Sequence, residues 1–137
     1  MIIKKEYSAD MIIHLGDGAA DMDEISSYLK DKPVYRMKGN CDSSAFGFPL
    51  QTTVKINDYV TICACHGHTY DVKYSMSKLF CYGVKNGYRI CLFGHTHTPY
   101  FSDEENVLMM NPGAVKNGKY GVIEIKNREV IPVLKNL

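Results

Sequence analysis

Four short apolar segments, each followed by glycine and by polar side chains that can bind ligands, constrain the fold of this chain most strongly. The segments cover residues 12–15, 34–37, 59–65 and 90–93, and each has the length and composition of a buried strand. The residues that follow them are Gly16-Asp17, Gly39-Asn40-Cys41-Asp42, His66-Gly67-His68 and Gly94-His95-Thr96-His97. Because ligand sites in α/β proteins gather at the carboxyl ends of strands, we expect these polar residues to share one end of a sheet.

The other apolar residues complete a mixed α/β pattern. They recur at helical spacing over 21–30 and 72–84, and they predict further strands at 52–56 and across the last third of the chain, over 107–110, 119–125 and 129–134. Strand and helix alternate first and strands dominate later, which favours a sandwich of two β-sheets flanked by helices over a purely parallel wound sheet. With 137 residues and no repeat or linker, residues 1–137 are predicted to form a single domain.

Charge and composition exclude several classes of protein. Sixteen basic and fifteen acidic residues leave a formal net charge of +1, so the sequence has no specific signal for nucleic acid or for an anionic membrane. No apolar run approaches the roughly 20 residues needed to cross a bilayer, and charge begins at Lys4, too early for a secretory signal. The five cysteines are an odd number without zinc-knuckle spacing. We therefore expect reduced thiols and a cytoplasmic protein.

The polar residues after the four segments are types that bind divalent metals. Imidazole, carboxylate and amide oxygen suit Mn²⁺, Fe, Ni²⁺ or Zn²⁺, and the sequence lacks the thiolate spacing of a structural zinc site. A carboxylate can bridge two metal ions about 3.5–4 Å apart that polarise a phosphoryl group and lower the pKa of a shared water. The pattern is therefore typical of two-metal hydrolysis.

In this order, the four motifs resemble those of the calcineurin-like metallophosphoesterases, and most closely the small bacterial and archaeal phosphodiesterases of that family. Residues 13–17, Gly39-Asn40-Cys41-Asp42 and Asn111-Pro112-Gly113 carry the resemblance, which extends from residue 9 to the late strands. It implies hydrolysis of a small phosphodiester or phosphomonoester by metal-activated water. The implied cofactor is a divalent metal, with Mn²⁺ the first choice and Ni²⁺, Fe or Zn²⁺ the alternatives.

The resemblance also implies a set of metal ligands. Asp17 would bridge the two ions, while Asn40, His66 and His95 would hold the second ion and His97 would hold the first. Each of these residues also has an ordinary structural interpretation, such as a turn cap for Asn40.

Three further residues are candidates for a role toward the substrate. Cys41 stands where many members have a histidine that protonates the leaving group, and a thiol with an ordinary pKa of about 8.5 is a poorer proton donor at neutral pH. This favours diesters with good leaving groups over simple monoesters. Asp42 would support a histidine or a metal-bound water, and His68 would face the substrate or be a plain loop residue. His14, inside an apolar strand, is expected to be a hydrogen-bonded core histidine rather than a ligand.

One element of the family pattern is absent from this sequence, namely an Asp-x-His before Asp17. The only earlier aspartate is Asp10, which Met11 and Ile12 follow. We therefore expect the first βα unit of roughly 20–25 residues to be missing, the first metal site to keep only Asp17 and His97, and a homo-oligomer to cover the exposed sheet. Two alternatives stay open: a natural start further upstream, and a catalytically inactive module that keeps the fold for binding or as a scaffold.

Overall fold

The computed structural model describes residues 8–17, 32–42 and 47–137, so the helix predicted over 21–30 lies outside the described residues. The strands are β1 (Ile12–His14), β2 (Val34–Arg36), β3 (Gln51–Lys55), β4 (Thr61–Cys65), β5 (Ile90–Leu92), β6 (Tyr100–Glu104), β7 (Val107–Asn111), β8 (Lys119–Lys126) and β9 (Glu129–Asn136), and the α-helix of the described ranges is α1 (Ser77–Asn86). None of the helices in these ranges is long and apolar enough to span a membrane.

Hydrogen bonds join the described strands into one five-stranded sheet and two pairs. The sheet has the order β3-β4-β5-β7-β6. Its three central strands β4, β5 and β7 run parallel, with Ile62 beside Ile90 and Ile90 beside Leu108, while β3 and β6 are antiparallel edge strands. The pair β1–β2 is parallel and the pair β8–β9 is antiparallel. The mixed α/β fold predicted from the sequence is confirmed.

Both faces of the five-stranded sheet are buried, which explains why its central strands are almost continuously apolar. Alternate residues point to opposite faces. One face packs against β1–β2 and β8–β9 through Ile62, Ala64, Ile90, Leu92, Leu108 and Met110. The other face packs against α1 through Cys63, Cys65, Cys91, Phe93, Val107 and Met109. The sheet is thus the middle layer between the helix and the two strand pairs. All five cysteines are free thiols, as expected from the sequence.

Two elements differ from the predictions. The helix predicted over 72–84 begins only at Ser77, because Asp71 adopts a left-handed conformation with φ of 54° and its carbonyl accepts from the N–H groups of Tyr74 and Ser75 in turns. Val72 is buried, as predicted, but on this turn and not on a helix. Strand β6 was not predicted, because an edge strand with one exposed side carries polar residues such as Asp103 and Glu104.

Candidate metal centre

The loops that follow β1, β2, β4 and β5 meet at the carboxyl ends of these strands. Backbone hydrogen bonds fix their relative positions: Met37 N–H donates to the His14 carbonyl at 2.9 Å, and Gly94 N–H donates to the His66 carbonyl at 2.8 Å. The first bond joins the ends of β1 and β2, and the second joins the ends of β4 and β5. The polar residues after the four strands are brought together here at the carboxyl ends of β1–β2 and of β4–β5, which belong to two sheets that pack against each other.

His66 is the centre of the cluster and is only 2% exposed. Its Nε2 atom lies 2.9 Å from Asn40 Oδ1, 3.0 Å from His95 Nδ1 and 3.3 Å from Asp17 Oδ2. One side chain from each of the four loops therefore points at a common position. Asp17, Asn40, His66 and His95 are the four residues that the sequence places around the second metal ion and its bridge.

The other ring nitrogen of His66 fixes the protonation of the ring. His66 Nδ1 lies 2.8 Å from the Leu15 carbonyl, which can only accept, so Nδ1 carries the proton and Nε2 is left with its lone pair. Burial lowers the pKa of His66, against the opposite effects of the Leu15 carbonyl and Asp17. Burial also lowers the pKa of His95, and the nearby His66 adds to that shift. Both rings are therefore suited to act as neutral ligands.

This arrangement fits a divalent cation. Asp17 Oδ2, Asn40 Oδ1 and His66 Nε2 can all offer lone pairs to a shared positive charge, and the lowered pKa of His66 disfavours a proton in that place. Ligand atoms stand about 2.0–2.2 Å from such an ion, so two ligand atoms at right angles are roughly 3 Å apart. The distances from His66 Nε2 to its three neighbours are of this size. Among the described residues, His, Cys, Asp and Glu alone form no metal-binding group of three.

Two carboxylates hold the loops after β1 and β2 together. Asp17 N–H and Gly39 N–H both donate to Asp42 Oδ2, at 2.8 and 2.9 Å, and Cys41 N–H donates to Asp17 Oδ1 at 2.8 Å. Asp17 itself has a left-handed backbone with φ of 57°. The close approach requires glycine in the second loop, since a Cβ on Gly39 would lie 2.7 Å from Asp17 Cγ and closer still to its Oδ1 and backbone N.

The loop that carries His95 is held by a residue whose role the sequence did not reveal. Asn111 is completely buried, and its Nδ2 donates to the Gly94 carbonyl and to Thr96 Oγ1, both at 2.9 Å, while its Oδ1 accepts from Gly113 N–H at 2.9 Å. By composition, Asn111-Pro112-Gly113 is typical of a turn, and only the resemblance suggests that it lies near the site. The sequence signal for the burial of Asn111 was the apolar residue Met110 before it, because this places Asn111 at the end of a buried strand.

The remaining candidates lie at the margin of the cluster. His97 is exposed and has φ of 61°, and within the described part of the chain it makes no hydrogen bond or ring contact with the four central residues. Cys41 is exposed as well. His68 is half-buried, with its ring 5.4 Å from that of His66 and 6.0 Å from that of His95, and its buried Nδ1 has no hydrogen-bond partner among the described residues. His14 accepts a hydrogen bond from Gly16 N–H at 3.3 Å, as expected of a hydrogen-bonded histidine.

Known proteins share this sequence pattern. Residues 2–128 match a family model described as a calcineurin-like phosphoesterase superfamily domain. Over 111 residues the chain is 37% identical to a probable metallophosphoesterase of Methanocaldococcus jannaschii, in an alignment that covers 80% of this chain and 55% of that protein. The chain therefore spans about half the length of this relative.

Solved structures share the fold. A predicted phosphoesterase of Streptococcus pneumoniae superimposes with a TM-score of 0.79 at 24% identity, covering 98% of this chain and 79% of that one. An archaeal phosphodiesterase superimposes with a TM-score of 0.70 at 21% identity, covering 98% and 87%. A Vps29 variant of Entamoeba histolytica superimposes with a TM-score of 0.69 at 18% identity, covering 93% and 82%. At these identities the likeness establishes the fold and not the activity.

Proposed function

The chain belongs to the calcineurin-like phosphoesterase superfamily, and on that premise we propose that it is a metal-dependent phosphoesterase that prefers phosphodiesters with good leaving groups. The observation that carries the proposal is the convergence of Asp17, Asn40 and His95 on His66 Nε2, at 2.9–3.3 Å. Carboxylate, amide and two neutral imidazoles form a donor set for a first-row divalent metal. We propose Mn²⁺ as the ion, with Ni²⁺, Fe and Zn²⁺ as alternatives.

Asp17, Asn40, His66 and His95 would hold the ion. When bound, such an ion polarises a phosphoryl oxygen and lowers the pKa of a coordinated water. Asp17 Oδ1 is engaged by Cys41 N–H, so Oδ2 is the oxygen that faces the cluster. The second ion implied by the family pattern would rely on Asp17 and the exposed His97, and we expect its site to be the more weakly occupied of the two.

His68 is proposed to bind the phosphoryl group of the substrate. Its buried Nδ1 has no hydrogen-bond partner among the described residues, so the Nε2 atom is the ring nitrogen that we propose for the contact with substrate. The ring lies within 5.4 Å of His66, close enough for a donor at Nε2 to reach a phosphoryl oxygen at the cluster. Cys41 is exposed, and its N–H donates to Asp17 Oδ1; by the resemblance it stands where many members have the histidine that acts as general acid. A thiol in place of that histidine is the basis of the proposed preference for good leaving groups.

Hydrolysis of bis-p-nitrophenyl phosphate with added Mn²⁺ tests the proposal, with p-nitrophenyl phosphate as the monoester for comparison. We expect diester turnover that falls about 100-fold or more in Asp17→Asn and His95→Ala, since loss of a ligand exceeds the 10–100-fold effect of an outer partner. Asp58→Asn, on an exposed turn, is the control for the change of charge. Turnover that survives both ligand substitutions would contradict the assigned site.

The alternative function is a binding or scaffold module without catalysis. It predicts no turnover with any of the four metals, even after an upstream strand carrying Asp-x-His is supplied.

The self-association expected from the sequence stays a prediction, and light scattering after size-exclusion chromatography measures it.

A further inference from the structure

Asp42 and Asp17 exchange hydrogen bonds with the backbone of each other's loop. Asp42 Oδ2 accepts from Asp17 N–H at 2.8 Å and from Gly39 N–H at 2.9 Å, while Asp17 Oδ1 accepts from Cys41 N–H at 2.8 Å. We call these three bonds the carboxylate clamp. They join the turn after β1 to the turn after β2, two segments that are far apart in the chain.

The clamp acts where the backbone is least favourable. Asp17 has φ of 57°, a conformation that residues with a Cβ adopt only when the surroundings impose it. The N–H of Asp17 points at Asp42 in this conformation, and a hydrogen bond to an ionised carboxylate is stronger than one to a neutral acceptor. Asp42 therefore stabilises the conformation from which the Asp17 side chain reaches the cluster.

The clamp also divides the two oxygens of Asp17. Oδ1 is held by Cys41 N–H, and Oδ2 remains to face His66 Nε2 at 3.3 Å. If the loop after β2 moved, both the acceptor for Asp17 N–H and the donor to Oδ1 would move with it. The position of Asp17 Oδ2 thus depends on Asp42. The Oδ2 atom of Asp42 is itself engaged by two N–H groups.

We propose that Asp42 is a positioning residue, which fixes the Asp17 carboxylate for metal binding and does not itself ligate the ion. This inference rests on the proposed function, because the ion is the one that Asp17, Asn40, His66 and His95 would hold. It replaces the role expected from the sequence, in which Asp42 supports a histidine or a metal-bound water.

Two substitutions separate positioning from ligation. Asp42→Ala removes the acceptor of both N–H groups, and we expect it to weaken Mn²⁺ binding, measured by titration calorimetry, by about 10–100-fold, as for other outer partners of metal ligands. Asp42→Asn keeps a side-chain oxygen that can accept from the same N–H groups, and we expect it to retain affinity within about 10-fold of the unsubstituted protein. Asp58→Ala is the control for the loss of one exposed negative charge.

Amide hydrogen exchange in the metal-free protein gives a second readout, which does not depend on activity. In Asp42→Ala we expect faster exchange of the Asp17 and Gly39 amides, with Ile62 and Ile90 in the core unchanged; in Asp42→Asn the two amides stay protected.

A folded Asp42→Ala protein with unaltered exchange and unaltered Mn²⁺ affinity would overturn the proposal. So would an Asp42→Asn protein that loses Mn²⁺ as completely as Asp42→Ala. If the unsubstituted chain binds no Mn²⁺ while the exchange result holds, the proposed function fails, and with it the metal-positioning role, but the clamp itself is supported.

Discussion

The glycines that precede Asn40 and His95 should respond very differently to alanine. A Cβ on Gly39 would lie 2.7 Å from Asp17 Cγ and closer still to Asp17 Oδ1 and N, whereas a Cβ on Gly94 would meet nothing nearer than Leu15 Cβ at 3.6 Å. Neither glycine has a left-handed φ, so the backbone accepts alanine at both positions. The two substitutions therefore differ in the contact made by one methyl group.

The contact geometry sets the size of the difference. Forcing a methyl group into a filled space costs about 1–3 kcal/mol, and at Gly39 part of the obstacle is the backbone N of Asp17, which cannot rotate away. Displacing Asp17 also breaks the bond from Cys41 N–H to its carboxylate, which contributes about 1.5–3 kcal/mol for a charged group. We expect Gly39→Ala to lower the free energy of unfolding by about 3 kcal/mol or more. Gly94→Ala should change it by less than about 1 kcal/mol, in part because alanine restricts the unfolded chain.

Urea unfolding followed by far-UV circular dichroism measures both effects, since the chain has no tryptophan for fluorescence. The midpoint should fall in Gly39→Ala with the slope unchanged, and the midpoint of Gly94→Ala should stay near that of the unsubstituted protein. Equal midpoints in the two variants would refute the reasoning, because the described approach of the two loops would then not exist in solution.

Two further predictions concern the loop after β5 and the two central histidines. Asn111→Asp replaces the amide that donates to the Gly94 carbonyl by a buried carboxylate, so the melting temperature should fall by an amount equivalent to about 3 kcal/mol or more. The control, Asn86→Asp on the exposed end of α1, should lower the free energy of unfolding by less than about 1 kcal/mol. Similar losses in the two variants would contradict the role of Asn111 in holding the loop after β5. Because burial lowers the pKa of His66 and of His95 in the folded state, the unfolded chain binds more protons below the ordinary pKa of about 6.5. The free energy of unfolding of the metal-free protein should thus be highest above that pH and should fall on acidification toward the lowered pKa values, by at most about 1.4 kcal/mol per pH unit for each ring. A free energy of unfolding that stays constant in urea titrations between pH 7.5 and 5.5 would show that burial does not disfavour the protonated rings.

The sequence predicted the parts of the fold that depend on side-chain burial. Strands β4, β5 and β7 are buried on both faces, so their apolar runs identify them without ambiguity. Where burial is one-sided the signal weakens, and β6 was missed for that reason. The start of α1 was wrong because the apolar spacing from Val72 onward continues through a turn, and a left-handed residue at Asp71 is not visible in a hydrophobic pattern.

The site follows the same division. That the residues after four strands would meet was predictable, because ligand sites in α/β proteins gather at the carboxyl ends of strands, although these four strands belong to two sheets. The directions of single backbone N–H and C=O groups were not. The carboxylate clamp between Asp17 and Asp42, the Leu15 carbonyl behind His66 and the bonds from Asn111 all depend on these directions, and residue types alone do not determine them.

The conformational costs at the site favour a metal-binding function over a module that uses the fold only as a surface. Asp17, His95 and His97 all have φ between 57° and 67°, a region that costs roughly 1–3 kcal/mol for residues with a Cβ, and His66 is a buried ring whose Nε2 faces other electron-pair donors. A module that used the fold only as a surface would gain stability from glycine or asparagine at the left-handed positions and from an apolar residue in place of His66. Metal binding would compensate these costs, because a bound ion would be shared by the atoms that are otherwise unfavourably close. Addition of Mn²⁺ should therefore raise the melting temperature of this chain and leave that of Asp17→Asn unchanged, whereas a module that uses the fold without a metal should show no response in either.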